Sequence, residues 1–511
     1  MLSYRKEYAK VKIQQTSDHG KTLVATTRLE PERPFGLHIF TDEALLIMPI
    51  FGTEADKSGT PPEILAPGPQ MWTDWWTFRQ QPDEIRRRIL DLYTDMECPH
   101  AAATRSYLQQ KYEESQEEKR DDDFDKGIFD HIEEFVQFTM VIRFNSVELI
   151  PPSEDGSGPG ADYGHGLFET ACRMNHSCRP NCVWITSQDG KSKEVRAIEV
   201  IEEGEELTID YVGDTMEPIP QRRRELLLTK GFTCQCGRCS AGHDDTRRFL
   251  CVQHESTGCN GAHFLVQPDL STKPALLGCS LCGASAPQSY LNSMLTKEME
   301  LVKEINALNR EDFDKEDSAD RIVRLDPPHQ LHCLAEKCYE LQGELFSGRG
   351  DYQLAAEAYA KQLKCRTAIL GDNYYSQASA FCCERLGDAL RHVNVVEAEK
   401  AYKRTVRHIQ LLRGGIADPY TKCAVEKLMD VQHRRACSKP DELPLLGALE
   451  GIIADVPCGD DSAECPCDIC GCPSSMFYQH RGQSYQYCCE QHKSLHLPLM
   501  GIVLQETKCE A

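Results

Sequence analysis

A chain of 511 residues with 57 Lys and Arg against 80 Asp and Glu carries a net charge of −23. That length exceeds one compact core and points to three or four units of roughly 100 to 200 residues; the negative charge argues against direct nucleic-acid binding and either favours a basic protein partner or simply keeps the chain soluble. MLSYRKEYAK at the N-terminus lacks a secretory signal's apolar run, and no stretch approaches the ~20 apolar residues that span a bilayer, so the expectation is a protein of the nucleus and/or cytoplasm with no membrane association.

After an N-terminal extension over residues 1–21, LHIF and ALLIMPIF flank Thr41-Asp42-Glu43 and suggest paired strands. From about 72 to 144, DEIRRRILDLY and FDHIEEFVQFTMVIRF carry apolar residues at helical spacing around the charged run Glu113 to Asp125, which reads as a helical insertion. Pro151 to Gly166 is a loop by composition. Strand character returns through Cys182 to Tyr211. In a reducing compartment the 26 cysteines are read first as metal ligands where closely spaced, and isolated ones such as Cys98, Cys333 and Cys338 as small buried hydrophobes.

Residues 289–439 are helical, and Gly343, Tyr359 and Gly371 recur 43 or 44 residues later as Gly387, Tyr402 and Gly414. Small residues at that period predict helix pairs stacked as a tetratricopeptide-like solenoid, with an ordinary helical bundle as the alternative. A linker over 440–464 precedes a Cys/His-rich tail over 465–511.

Arg173-Met174-Asn175-His176-Ser177-Cys178-Arg179-Pro180-Asn181-Cys182 packs polar side chains into one short run that needs specific partners if buried. Downstream lies Glu205-Glu206-Leu207-Thr208-Ile209-Asp210-Tyr211, then the helix QRRRELLLTKGF and Phe232-Thr233-Cys234-Gln235-Cys236-Gly237-Arg238-Cys239. Together, in this order, these runs resemble the SET-domain protein-lysine methyltransferases, and most of all the branch that combines SET and MYND domains. The resemblance covers about residues 22–435.

It implies an α+β architecture. Residues 22–232 form a SET-domain β-fold with its helical insertion, and 233–288 a post-SET zinc segment with a candidate zinc ribbon; the tetratricopeptide-like α-helical domain follows. The Tyr487-Cys488 start and trailing His496 of the tail resemble a small C-terminal MYND-like finger, although its spacing departs from the family's and its place differs from the usual one inside the SET domain, where this chain has only Cys98. The Asn-His-Ser-Cys segment is expected to thread beneath the Glu-Leu-Thr to Tyr segment, a knot-like crossing rare among folds. Cofactor residues implied for S-adenosyl-L-methionine are Phe35, Gly36, Asn145, Asn175, His176, Tyr211 and Phe232, with Tyr211 as the catalytic residue lining the lysine channel. Asn145 reads equally as a strand-end or turn residue. Methyl transfer to an amine is an in-line displacement, so alignment and exclusion of water matter most. A tyrosine hydroxyl with backbone carbonyls orients the amine. The family's opening Gly-x-Gly is met here by Pro34-Phe35-Gly36-Leu37; proline removes a donor and fixes φ, leaving a catalytically impaired scaffold as the rival reading.

Zinc requires four ligands. Cys234, Cys236 and Cys239 supply three, and the resemblance provides Cys178 as the fourth. Cys251, Cys259, Cys279 and Cys282 form a C-x7-C-x19-C-x2-C pattern readable as a zinc-ribbon remnant, with His254 as a substitute ligand, or as a plain Cys-containing loop. In the tail, Cys467-x2-Cys470 and Cys488-x3-His492 are expected to close a further zinc site, with Cys465, Cys472, Cys489 and His496 as candidate ligands of a second. The predicted partners are a basic protein substrate, histone or otherwise, and proteins docking on the helical repeats and the finger.

Overall fold

A computed structural model of the full chain describes residues 10–16, 20–31, 37–48, 69–118, 130–149, 164–187, 189–213, 215–266, 274–308, 316–371, 375–414, 418–437, 476–480 and 483–487. Backbone contacts sort the chain into two units: residues up to 31, 37–212 and 223–234 form the first, and 213–222 with 235 onward the second.

In the first unit, β1 (Val11–Thr16) and β2 (Gly20–Ala25) form an antiparallel ribbon. A five-stranded sheet in the order β4-β5-β3-β8-β7 is built from β3 (Leu37–Met48), β4 (Val147–Leu149), β5 (Gly164–Phe168), β7 (Cys182–Thr186) and β8 (Ser192–Ala197). The short strands β6 (Asn175–His176) and β9 (Thr208–Ile209) pair separately.

The expected pair of strands around Thr41-Asp42-Glu43 is instead one twelve-residue strand, β3. Its first half pairs with β8 and its second with β5. Asp42 stays in the strand because its buried carboxylate accepts the Thr170 and Ala171 N–H groups, both at 2.7 Å, so the acidic position has partners without a turn. An irregularity between His38 and Phe40 lets the consecutive residues Ile39 and Phe40 both point inward. They join Leu23, Leu29, Phe168, Val195, Leu207 and Ile209 in the core beneath the sheet.

The expected helical insertion is present as α1 (Pro69–Arg79), α2 (Asp83–Leu90), α3 (Pro99–Glu118) and α4 (Ile132–Asn145). Trp75, Phe78, Phe135 and Phe138 fill their common core, the Phe78 and Phe138 rings stacking at 4.5 Å. Each such aromatic buries a large apolar area, which is what holds α1 against α4. Helix α5 (Ile219–Lys230) follows.

The second unit holds a three-stranded antiparallel sheet of β10 (His243–Leu250), β11 (Ala262–Val266) and β12 (Ala275–Leu276), with the single-turn α6 (His254–Thr257) between the first two strands. Then come α7 (Gln288–Asn306), α8 (Glu316–Val323), α9 (Cys333–Arg349), α10 (Tyr352–Leu370), α11 (Gln377–Leu390), α12 (Val395–Arg413) and α13 (Pro419–Cys437). Helices α9 to α13 pack each against the next. The repeat read in the sequence has a physical cause here: a Cβ on Gly343 would sit 2.4 Å from the Tyr359 ring, and one on Gly387 2.7 Å from the Tyr402 ring. In both helix pairs the missing side chain is what lets a tyrosine lie flat on the preceding helix. Cys333 and Cys338 are buried, Cys338 within an apolar cluster and Cys333 beside His332, and Cys98 is half-buried beside Met140. A hairpin of β13 (Met476–His480) and β14 (Gln483–Tyr487) is described in the tail. No described helix is long and apolar enough to cross a membrane.

Candidate functional site

The polar run Asn175 to Asn181 and the strand-like run Glu206 to Tyr211 meet. β6 and β9 pair in parallel, Asn175 opposite Thr208 and His176 opposite Ile209, and the Ser177 N–H continues the ladder to the Ile209 carbonyl at 3.0 Å. Two-residue strands are too short to hold themselves; side chains fasten them. The buried Asn181 carboxamide donates to the Glu206 carbonyl at 2.8 Å and accepts the Thr208 N–H at 2.8 Å, clamping both backbone groups of the other segment. The Glu206 carboxylate accepts the Asn175 amide at 2.7 Å and the Thr22 hydroxyl. Alternation explains the sorting: Met174, Leu207 and Ile209 enter the core, which leaves Asn175, Glu206 and Thr208 on the opposite side, where Asn175 bonds Glu206 and the Thr208 hydroxyl bonds Asn181.

His176, whose side chain is fully enclosed, accepts the Tyr211 N–H at its Nδ1, 3.1 Å away. That bond places the proton of the neutral ring on Nε2, which faces the Cys178 sulfur at 3.2 Å. An imidazole N–H aimed at a cysteine sulfur suits a thiolate bound to a metal. The sulfurs of Cys178, Cys234, Cys236 and Cys239 lie within 4.8 Å of one another, Cys178 to Cys234 being 3.9 Å. A tetrahedron with Zn–S near 2.3 Å has S···S edges of about 3.8 Å, whereas a disulfide would need about 2.05 Å, so the donor set fits zinc.

Tyr211 lies beside His176 and Phe232, with ring centroids 5.5 Å from His176 and 6.4 Å from Phe232; His176 and Phe232 are 6.3 Å apart. Its hydroxyl donates to the Met174 carbonyl. Burial first, then the nearby Cys172 and Glu206, hold the phenol well above the usual tyrosine range, so it stays protonated at neutral pH. Phe232, 36% exposed, offers an open aromatic face at the edge of this group.

Asn145 is neither at a strand end nor in a turn. It is the last residue of α4, and its amide donates to the Tyr93 carbonyl at 2.8 Å and the Val141 carbonyl at 2.9 Å. Pro34, Phe35 and Gly36 lie outside the described residues, as do Cys467, Cys470, Cys488 and His492.

Cys251, Cys259, Cys279 and Cys282 do converge, all within 4.8 Å, with Cys251 to Cys282 at 3.5 Å and Cys259 to Cys279 at 3.8 Å. These edges also fit a tetrathiolate zinc site. His254 is not among the converging groups; its Nδ1 bonds the Cys259 carbonyl at 3.0 Å. Gly261 makes room for the cluster, since a Cβ there would stand 2.4 Å from the Cys279 sulfur.

Sequence reading passed over Asn181, Glu206 and Thr22 as site residues, although the first two stood inside the quoted runs at alternate polar positions. Lys230 gave no signal, because a lysine at a helix C-terminus is the ordinary complement to the helix dipole.

Comparison with known proteins bears on the same segment. Residues 79–212 match the SET domain family. A SET and MYND domain-containing protein of Dictyostelium discoideum is 34% identical over 99 residues, which are 19% of this chain and 19% of the relative. Histone-lysine N-methyltransferase SMYD3 of Homo sapiens is 38% identical over 84 residues, 16% of this chain and 19% of the relative. N-lysine methyltransferase SMYD2 of Homo sapiens is 37% identical over 82 residues, 16% and 18% respectively. The chain spans about a fifth to a third of the length of the curated relatives it matches.

Proposed function

We infer the function of the chain from its SET domain, whose homologues include SET and MYND domain-containing proteins and the SMYD2 and SMYD3 methyltransferases. From that premise we propose that it is an S-adenosylmethionine-dependent protein-lysine N-methyltransferase acting on a histone or another basic protein in the nucleus or cytoplasm. The observation that carries the proposal is the crossing that brings His176, Tyr211 and Phe232 within 5.5 to 6.4 Å of one another. The exposed Phe232 face fits an adenine ring, and the polar edge of Asn175 and the His176 backbone fits the cofactor's methionine end. When bound, the cofactor supplies a methyl group on a positively charged sulfur.

The chain's own residues do the rest. Tyr211 keeps its proton and its position through the Met174 carbonyl, presenting an aromatic wall beside which an amine and a positively charged methyl are both favourably placed. An acidic chain, at −23, attracts a basic substrate segment. Zinc held by Cys178, Cys234, Cys236 and Cys239 would tie the segment bearing Phe232 to the crossing and take no part in the methyl transfer.

In this reading residues 22–232 are the catalytic SET domain and 233–288 the post-SET zinc segments. Residues 289–439, a tetratricopeptide-like array, and the finger over 465–511, past the 440–464 linker, dock protein partners.

The rival reading, a scaffold that no longer turns over, is favoured by the commitment of the Asn145 and Asn175 amide donors to partners within the fold. Thermal unfolding with increasing S-adenosylmethionine separates the two. Cofactor at a hundred times its Kd adds about 2.7 kcal/mol of stability to a chain that binds it. Tyr211→Phe should keep that stabilisation and lose most methyl transfer to histones. A wild-type chain that gains no stability and binds no radiolabelled cofactor would leave only the scaffold.

A further inference from the structure

Lys230 ends α5 and is followed by Gly231, whose φ of +76° turns the chain sharply back toward Phe232. The turn tolerates little bulk, for a Cβ on Gly231 would lie 3.1 Å from the Phe144 ring. As a result the Lys230 side chain runs inward. Its Nζ donates to the Phe144 carbonyl at 3.1 Å and lies 5.5 Å from the centroid of the Tyr211 ring. Burial draws its pKa below the usual lysine value, with Cys172 opposing and Arg143 reinforcing the shift. Its surroundings are those a substrate amine would need: an aromatic wall, a backbone carbonyl acceptor and partial removal from water.

We propose that Lys230 is an internal methyl acceptor, held by the Phe144 carbonyl against Tyr211 and methylated by its own chain. This rests on the methyltransferase reading. In the step, the Nζ lone pair forms the new N–C bond while the C–S bond of the sulfonium breaks. The bonding electrons pass to sulfur, which becomes a neutral thioether, and the methylated ammonium releases a proton to solvent.

Lys193 provides an internal control. It is buried where Lys230 is half-buried, with Nζ donating to the Glu148 carbonyl at 2.9 Å and lying 5.7 Å from the Trp184 ring, but that ring is none of the three at the crossing.

The test uses the full zinc-loaded chain with S-adenosylmethionine carrying a deuterated methyl, followed by peptide mass spectrometry. Label should appear on the Lys230 peptide and not on the Lys193 peptide, at a rate independent of protein concentration. Lys230→Arg should lose the label while retaining cofactor-induced thermal stabilisation. If the cofactor stabilises the chain and histones are labelled while Lys230 stays bare, the inference falls and the proposed function stands. If there is neither stabilisation nor label anywhere, both fall. A labelling rate proportional to protein concentration overturns methylation in cis. A second readout needs no cofactor: the pH dependence of trace acetylation should place the Lys230 amine below the usual lysine range. A pKa at or above that range would overturn its placement.

Discussion

Asn181→Ala isolates the clamp that holds the crossing. Removing the carboxamide leaves the Glu206 carbonyl and the Thr208 N–H without their partner inside a site where Asn181 itself is only 8% exposed. A buried polar group left unpaired costs about 1 to 3 kcal/mol. Two such groups, partly rescued by water, lead to an expected loss of about 2 to 4 kcal/mol. The chain has four tryptophans, Trp72, Trp75, Trp76 and Trp184, all in the first unit. Tryptophan fluorescence in urea therefore reports on the unit that contains the crossing and is blind to the helical repeats. At a urea slope of about 2 kcal/mol per molar, the midpoint should fall by about 1 to 2 M. Asn181→Asp sharpens the test: it keeps an acceptor for Thr208 but sets a carboxylate oxygen against the Glu206 carbonyl. It should be at least as damaging at pH 7 and recover in part as acid restores a donor to the carboxyl. A midpoint for Asn181→Ala within about 0.3 M of wild type would refute the clamp.

Gly261→Ala drives a Cβ toward the Cys279 sulfur, 2.4 Å away, and should weaken zinc at the Cys251, Cys259, Cys279 and Cys282 cluster by about tenfold or more, read by chelator competition. Gly387→Ala should destabilise the helical region by about 1 to 3 kcal/mol in circular dichroism, because overpacking against Tyr402 outweighs the better helix propensity of alanine. Gly348→Ala, in α9 with nothing near its missing Cβ, should instead gain up to about 1 kcal/mol, and equal effects at the two positions would discredit the packing account. Because the folded state holds the Tyr211 phenol above its unfolded value, its contribution to stability is complete below pH about 10 and is lost as pH rises beyond that. Phenolate absorbance of wild type minus Tyr211→Phe should therefore show no titration until the chain unfolds.

Local chemistry alone determined a good deal. Residue type and spacing suffice to mark Cys234, Cys236 and Cys239 and the set of Cys251, Cys259, Cys279 and Cys282, because zinc fixes its own ligand number and geometry; both groups converge, and Cys178, implied only by the resemblance, joins the first. Helical periodicity located the insertion and the long helical region. The glycine and tyrosine repeat was legible because close helix packing admits no substitute for the missing side chain.

Other features depended on partners far away in the chain. Asp42 looked like a turn residue until two N–H groups from Thr170 and Ala171 gave its carboxylate a place within a strand. Asn145 carried no sign that its amide would be taken up by Tyr93 and Val141. Glu206 and Asn181 became the fastening of the crossing only once β6 and β9 lay side by side. Lys230 is a surface lysine by every local rule; the left-handed turn at Gly231 and the carbonyl of Phe144 place it at Tyr211. A hydrogen bond between residues tens of positions apart leaves no mark in either local sequence, so such roles were set by tertiary structure.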